Sequence, residues 1–356
     1  MITAPVTLDS ILQRGQNNFD LIRLCAALAV IFGHSFALHP IAGQRDVIGE
    51  WLSFASAGGL SVDIFFFLSG ILVTGSFCQS KSYSRFFLMR AARIWPGLVV
   101  CLLITLLAVG PVVTTIPIFE YFRDWQTRWY FLFNIGLTNV VYYLPGVFLT
   151  NHYKGAVNGS LWTLPIEVRC YLLGFALGLL RCLTTGLRAL LAAGLLILLI
   201  LIWPECLSYL KAQGGGQRLP FIFLAGIVCY AYREKLPIDW RVSAVALVFL
   251  QLFSSFSSGR VFFYIFLMNT VLLLAAWPRL KRFQPAGDYS YGIYIYGFVV
   301  QQIVANYFPS LTSYYSLWIT IPITYLIGMA SWQFVERPAL GYGRSFADVF
   351  EKYRKI

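Results

Sequence analysis

Apolar stretches of about 20 residues recur from Leu21 to Trp332, and this recurrence limits the fold more than any other feature. In lipid every backbone N–H and C=O must be satisfied within the structure, so such stretches read as membrane-spanning helices. Barrel strands are excluded because their segments alternate apolar and polar over about 10 residues, and these do not. A soluble domain is excluded too. Only 12% of the residues are charged, 58% are hydrophobic and the mean hydropathy is +0.70, whereas soluble domains carry about 25% charged residues. The 356 residues leave room for roughly ten spans of ~20 residues and short loops.

Ten runs fit: Leu21 to Leu38, Ala57 to Phe77, Arg93 to Val113, Leu161 to Leu180, Ala189 to Trp203, Leu219 to Tyr232, Val242 to Phe256, Val261 to Trp277, Tyr289 to Tyr307 and Ser316 to Val335. An eleventh, Trp129 to Phe148, carries Asn134, Gly136, Asn139, Pro145 and Gly146, which suit a lipid-facing helix poorly. Charge decides its placement, because Lys and Arg concentrate in short cytoplasmic loops. If the segment does not cross, 18 basic residues lie inside and seven outside; if it crosses, the numbers become nine and 16. The expectation is therefore an all-α integral membrane bundle of ten helices, both termini cytoplasmic, with a long re-entrant outer loop (114–160) after the third. Residues 1–18 form a cytoplasmic segment without signal-peptide features, 19–338 the membrane domain and 339–356 a basic tail suited to anionic lipid. The net charge of +12 then belongs to cytoplasmic loops and not to nucleic-acid binding. The seven cysteines, Cys206 among them, read as small apolar residues, and no metal-ligand spacing is present. Nothing in the pattern sets an oligomeric state.

Ionisable groups at membrane depth are costly and mark function, pathway or helix pairing. Arg23 and His34 share a helix face, about 20° apart around the axis and ~16 Å along it. Asp63 enters on the second span, and Glu167 lies about 9 Å below the outer start of the fourth, so by depth His34, Asp63 and Glu167 can meet. Arg169 is a fifth such group. A buried imidazole beside a carboxylate suits general-base catalysis, a proton relay or a structural hydrogen bond, and position alone leaves all three open. Arg90 and Arg93, i and i+3 on the third span, point one way. With Arg23 they read either as a phosphate-binding cluster or as snorkelling anchors. Ser69 and Gly70 read as close helix packing.

Taken in order, these segments resemble the bacterial membrane acyltransferase-3 family, from Phe19 to Pro338. Within FDLIRLCAALAVIFGHSF an arginine and a histidine, Arg23 and His34, flank ten residues; VDIFFFLSGILV from Val62, Arg90 and Arg93, NGSLWTLPIEVRCYLL from Asn158, SYGIYIYGF from Ser290 and VERP from Val335 follow. The resemblance implies an inner-membrane enzyme that moves an acetyl or similar acyl group from cytosolic acyl-CoA to a hydroxyl of a surface or exported carbohydrate. The resemblance also implies that no cofactor is bound permanently. His34 would be the catalytic base, oriented by Glu167 or Asp63, and Arg23, Arg90 and Arg93 would hold the donor. Many members have a histidine where this chain has Gly297. A proton-coupled transporter or flippase is the alternative, though the inverted repeats and paired broken helices common in transporters are not evident in the sequence.

Overall fold

A computed structural model describes residues 6–13, 15–80, 82–203, 216–253 and 259–353. Arg14, Lys81, Cys206, Lys211, Arg354 and Lys355, used above to weigh charge and cysteine content, lie outside the described residues, as do the last residues of the Val242 to Phe256 run.

Within the described residues the chain is all helix, without strands. Its longer helices are α1 (Phe19–Leu38), α2 (Ala57–Gln79), α3 (Tyr83–Ile104), α4 (Trp125–Gly136), α5 (Thr163–Leu179), α6 (Gly186–Ile202), α7 (Leu219–Ala231), α8 (Trp240–Leu252), α9 (Gly259–Ala276), α10 (Ser290–Tyr307), α11 (Ser313–Ser331) and α12 (Arg337–Tyr353). Among the described residues five helical stretches are long and apolar enough to cross a membrane: Phe19–Leu38, Ala57–Gln79, Tyr83–Val113, Gly259–Ala276 and Ser313–Val349. The chain is thus a multi-pass membrane protein. Side-chain oxygens of Ser56, Ser82, Asp124, Thr185 and Asp239 accept from N–H groups in the first turns of α2, α3, α4, α6 and α8, which starts each helix at a defined residue.

The ambiguous Trp129 to Phe148 segment is not one helix. The helix α4 has 12 residues, about 18 Å at 1.5 Å per residue, shorter than the ~30 Å hydrocarbon core. It ends at Leu137 in the left-handed region. The Asn134 side chain then bonds the Val141 backbone in both directions, Nδ2 to the carbonyl at 2.8 Å and Oδ1 from the amide at 3.1 Å. Beyond it the chain packs on α10. Asn151 donates to the Gln302 side-chain and main-chain oxygens, and Gln302 donates to the Tyr153 and Ala156 carbonyls. Polar residues that weaken a lipid-facing helix serve here to fasten an irregular segment to the bundle.

The bundle centre depends on glycine contacts. An added Cβ at Gly70 would sit 2.2 Å from the Phe223 carbonyl oxygen, and one at Gly226 would sit 2.4 Å from that of Phe67. The backbones of α2 and α7 therefore touch, as small residues permit in membrane helices, and the close-packing reading of Gly70 holds. Gly194 on α6 has nothing within 4 Å. Gly226→Val must separate α2 from α7 and should cost about 1–3 kcal/mol or more, whereas Gly194→Ala should be neutral or slightly stabilising. Yield of monodisperse protein and melting temperature in detergent check both; equal behaviour of the two variants contradicts the packing argument.

Candidate functional site

A cavity of about 470 Å³ runs into the bundle between α1, α2, α3, α5, α10 and the start of α12. Its charged end is formed by Arg23, Arg90, Arg93 and Arg344 together with Asp20 and Asp288. Its middle is apolar, with Leu72, Val73, Phe66 and Ile94, and hydroxyl groups of Thr163, Tyr171 and Tyr294 lie along it. The structure thus brings together the three arginines singled out from the sequence, which stand on α1 and α3, and adds Glu167 from α5 to the same wall.

Asp288, just before α10, organises the charged end. Its Oδ2 accepts from Arg23 Nη1 at 2.7 Å and from Arg93 Nη2 at 2.6 Å, while Oδ1 accepts from Ser290 Oγ at 2.6 Å. Burial favours the neutral acid, but the two guanidinium groups and the Ser290 bonds outweigh it and hold the Asp288 carboxyl well below the usual carboxylate range. Arg93 also lies 3.5 Å from Glu336, with Tyr291 and Trp332 rings against its guanidinium. Arg90 differs from both. It makes no ion pair among the described residues, its buried Nε has no hydrogen-bond partner, and its guanidinium rests over the Tyr171 ring at 5.8 Å. Tyr171 in turn donates to Glu167. An unpaired guanidinium in a cavity is suited to bind an anion bidentately.

The other predicted residues are not gathered around one imidazole. Asp63, 1% exposed in its side chain, accepts from Arg218 Nε at 2.8 and 3.0 Å and from Tyr264 at 3.1 Å. Glu167 holds Tyr171, and Arg169 donates to the Thr138 carbonyl. Among the described residues no carboxylate is bonded to His34. Its buried Nδ1 has no partner, and its ring packs edge-on against Phe298 at 5.2 Å. The expectation that depth would bring His34 to Asp63 or Glu167 is corrected on that point, because nearer donors engage both carboxylates. His34 stands beyond the cavity, on the α1 face that carries Arg23. Gly297, the position at which the resemblance implied a histidine in many members, packs on α1: a Cβ there already meets Ile31 at 3.0 Å. An imidazole would need Ile31 to move.

Asp288, Tyr171, Trp332 and the Arg218–Asp63–Tyr264 group were not foreseen. The available signal for Asp288 was a lone carboxylate two residues before the SYGIYIYGF segment, at the start of a helix with no other acid.

This is an α-helical membrane protein with an internal cavity whose cationic end lies on the arginine–histidine helix. Residues 16–334 match the family model described as "Acyltransferase domain", and the chain belongs to that family and is an acyltransferase. It is similar to an "O-acetyl transferase" of Shigella phage Sf6, 30% identical over an alignment 342 positions long that covers 90% of this chain and 95% of that protein. "Nodulation protein 10" of Rhizobium leguminosarum bv. viciae is 28% identical over an alignment 361 positions long that covers 91% of this chain and 93% of that protein. No solved structure gives a significant match.

Asp288→Asn keeps the shape and removes the charge, leaving Arg23 and Arg93 without their shared partner. Breaking a buried pair this way costs about 3–5 kcal/mol, and the melting temperature in detergent at pH 7 should fall accordingly. The depressed Asp288 acidity sets the pH course: its stabilisation is complete above the unfolded value of about 3.9 and is lost as pH falls through the lower folded value. The difference between native and variant should therefore persist down to about pH 4 and shrink below it. A pH-independent difference, or none, contradicts the assignment.

Proposed function

We propose that this chain is an O-acetyltransferase of the bacterial inner membrane, with ten spans and cytoplasmic termini, that carries an acetyl group from cytosolic acetyl-CoA to a hydroxyl of a surface or exported carbohydrate. The observation that carries this reading is the joining of Arg23, Arg90 and Arg93 with apolar side chains in one cavity, on the side of α1 that also carries His34. That combination of environments matches a donor with anionic phosphates at one end and a small apolar acyl group at the other. The name of the Shigella phage relative supports the acyl group and the transfer to oxygen. The family match supports the reaction class.

In this reading Arg90 takes a phosphate directly, because it has no carboxylate to give up. Arg23 and Arg93, held by Asp288, supply fixed positive charge beside it. The acceptor hydroxyl approaches from the outer side, where the segment fastened by Gln302 and its aromatic residues cover α10. His34 takes the hydroxyl proton as the oxygen bonds to the thioester carbonyl carbon. The C–S bond then breaks, and the proton passes from the imidazolium to the leaving CoA thiolate. Glu167 and Asp63 act at a distance: Glu167 by fixing Tyr171 under Arg90, Asp63 by fixing Arg218 and Tyr264 beside α2.

Ester-linked acetyl groups on purified surface polysaccharide, counted by NMR in a deletion strain and its complements, provide the test. The native chain should restore them, and His34→Ala, present at normal levels, should lower transfer by about 10²–10⁴-fold, the usual worth of a general base. Arg90→Ala should weaken CoA binding to the purified protein by roughly 10–150-fold, the 1.5–3 kcal/mol of hydrogen bonds to a charged group. Full activity of the His34 variant excludes the base, and unchanged CoA affinity in the Arg90 variant excludes the phosphate site.

A further inference from the structure

The last helix, α12, supplies the charged end with an arginine that no interaction described above employs. Printed contacts fix how it lies. A Cβ at Gly97 would sit 3.5 Å from the side chain of Glu336, just before α12, and one at Gly343 would sit 2.9 Å from the Cβ of Ala92. Further along, Asp348 pairs with Arg85, and Glu351 accepts from Ser82 Oγ at 3.0 Å. The helix therefore runs antiparallel to the first half of α3 and is tied to it at both ends. Gly343 and the buried Ala347, one turn apart, share the face against α3. Leu340 and Arg344, also one turn apart, share the face that lines the cavity. Arg344 is exposed as well as cavity-lining, which puts it at the rim, whereas Arg90 is half-buried and stands inside. The carboxylate one turn on from Arg344, Asp348, is engaged by Arg85, and among the described residues Arg344 makes no ion pair. Arg344 lies outside residues 16–334, so no role comes to it from the family match.

We infer that Arg344 is a second anion site at the rim of the cavity, that it takes the 3′-phosphate of the donor, and that it thereby selects free acyl-CoA over an acyl-phosphopantetheine carried on a protein. The inference rests on the reading of the cavity as the acyl-CoA site. A CoA thioester that enters acyl group first presents its parts in a fixed order: acyl group, pantetheine arm, diphosphate, and last the adenosine with its 3′-phosphate. The diphosphate falls to the inner cation, Arg90, and the outermost phosphate falls to the cation at the rim. Two arginines without a carboxylate partner, one inside and one at the rim, answer two separate anionic groups. A phosphopantetheine arm attached to a protein has one phosphate and offers no second one to Arg344. The guanidinium can meet a phosphate with paired N–H groups, and the tether of α12 to Arg85 and Ser82 holds it in place.

The test uses the full chain in detergent and three probes: CoA, dephospho-CoA, which lacks only the 3′-phosphate, and phosphopantetheine. Calorimetric titration at low salt should show the native protein binding CoA roughly tenfold more tightly than dephospho-CoA, the worth of a hydrogen bond to a charged group, and phosphopantetheine more weakly than either. Arg344→Ala should bring CoA and dephospho-CoA to within about twofold while leaving the dephospho-CoA affinity at its native value, which also shows that the variant is folded. Arg344→Lys, which keeps the charge without the fork, should retain part of the preference. Native protein that binds CoA with no preference over dephospho-CoA or phosphopantetheine, or a preference unchanged in Arg344→Ala, overturns the inference and leaves the acyl-CoA reading standing. Native protein that binds no CoA overturns the reading and the inference with it.

Discussion

The ion pairs at Asp288 are the interaction on which the rest of the site depends. A carboxylate and two guanidinium groups taken out of water are costly to bury, and their mutual attraction offsets that cost only where geometry is good and further hydrogen bonds are made. Here one carboxylate oxygen accepts from both arginines, and the other accepts from Ser290. The arrangement joins α1, α3 and the start of α10 at one point. Glu336, at the end of the helix that follows α11, joins through Arg93. Three helices and the start of a fourth are thereby set around one end of the cavity, and the apolar side chains above inherit their spacing. Arg90 is left outside the network, which keeps one cation available to a ligand while the others are spent on position.

The cavity has a graded interior. Arg23, Arg93 and Asp288 are tied together at one place, Glu167 reaches Arg90 through Tyr171, and aliphatic and aromatic carbon lines much of the rest, with the Thr163 hydroxyl where α5 begins and the Tyr294 hydroxyl just past the first turn of α10. A ligand with charge distributed the same way is bound with each part in matching surroundings, and no polar group is desolvated without a partner. The reverse orientation would place phosphate against Phe65 and Leu164. The gradient therefore selects orientation as well as identity, and it places the small end of the ligand toward the histidine.

Much of this was legible in the sequence, for a specific reason. Arg23 and His34 on one face, and Arg90 with Arg93 one turn apart, are local relations fixed by helical period, and the helices formed where apolar runs said they would. What was not legible depends on pairs far apart in the chain. Arg23 meets Asp288 across 265 positions, and Arg218 meets Asp63 across 155. Depth along a helix, the only coordinate available for His34, Asp63 and Glu167, leaves rotation and neighbours undetermined. Asp63 turned to Arg218 on the chain before α7, and Glu167 to a tyrosine four residues on in its own helix. The segment from Trp129 to Phe148 was read as non-spanning from its polar and helix-breaking residues and from charge balance. The Asn134 bonds that end α4 supply a local reason for a break that the arginines and lysines could only imply.

Two breaks in helix regularity bear on the same network. In a regular α-helix Ser331 and Glu336, five residues apart, point about 140° away from each other at 100° per residue. Here Ser331 Oγ donates to Glu336 Oε1 at 2.8 Å, and the turn between them, Trp332–Glu336, is a π-turn. The wider turn brings the fifth residue back over the first, as i to i+5 bonding does. It also puts Trp332 and Glu336 on the side of Arg93, ring and carboxylate together. A second π-turn, Thr105–Val109, interrupts the helix that carries Arg90 and Arg93. Both helices meeting at Arg93 thus give up regular bonding within the bilayer-sized stretch. The first break has a structural explanation: without the extra residue, the carboxylate that completes the arginine's surroundings would face away from it.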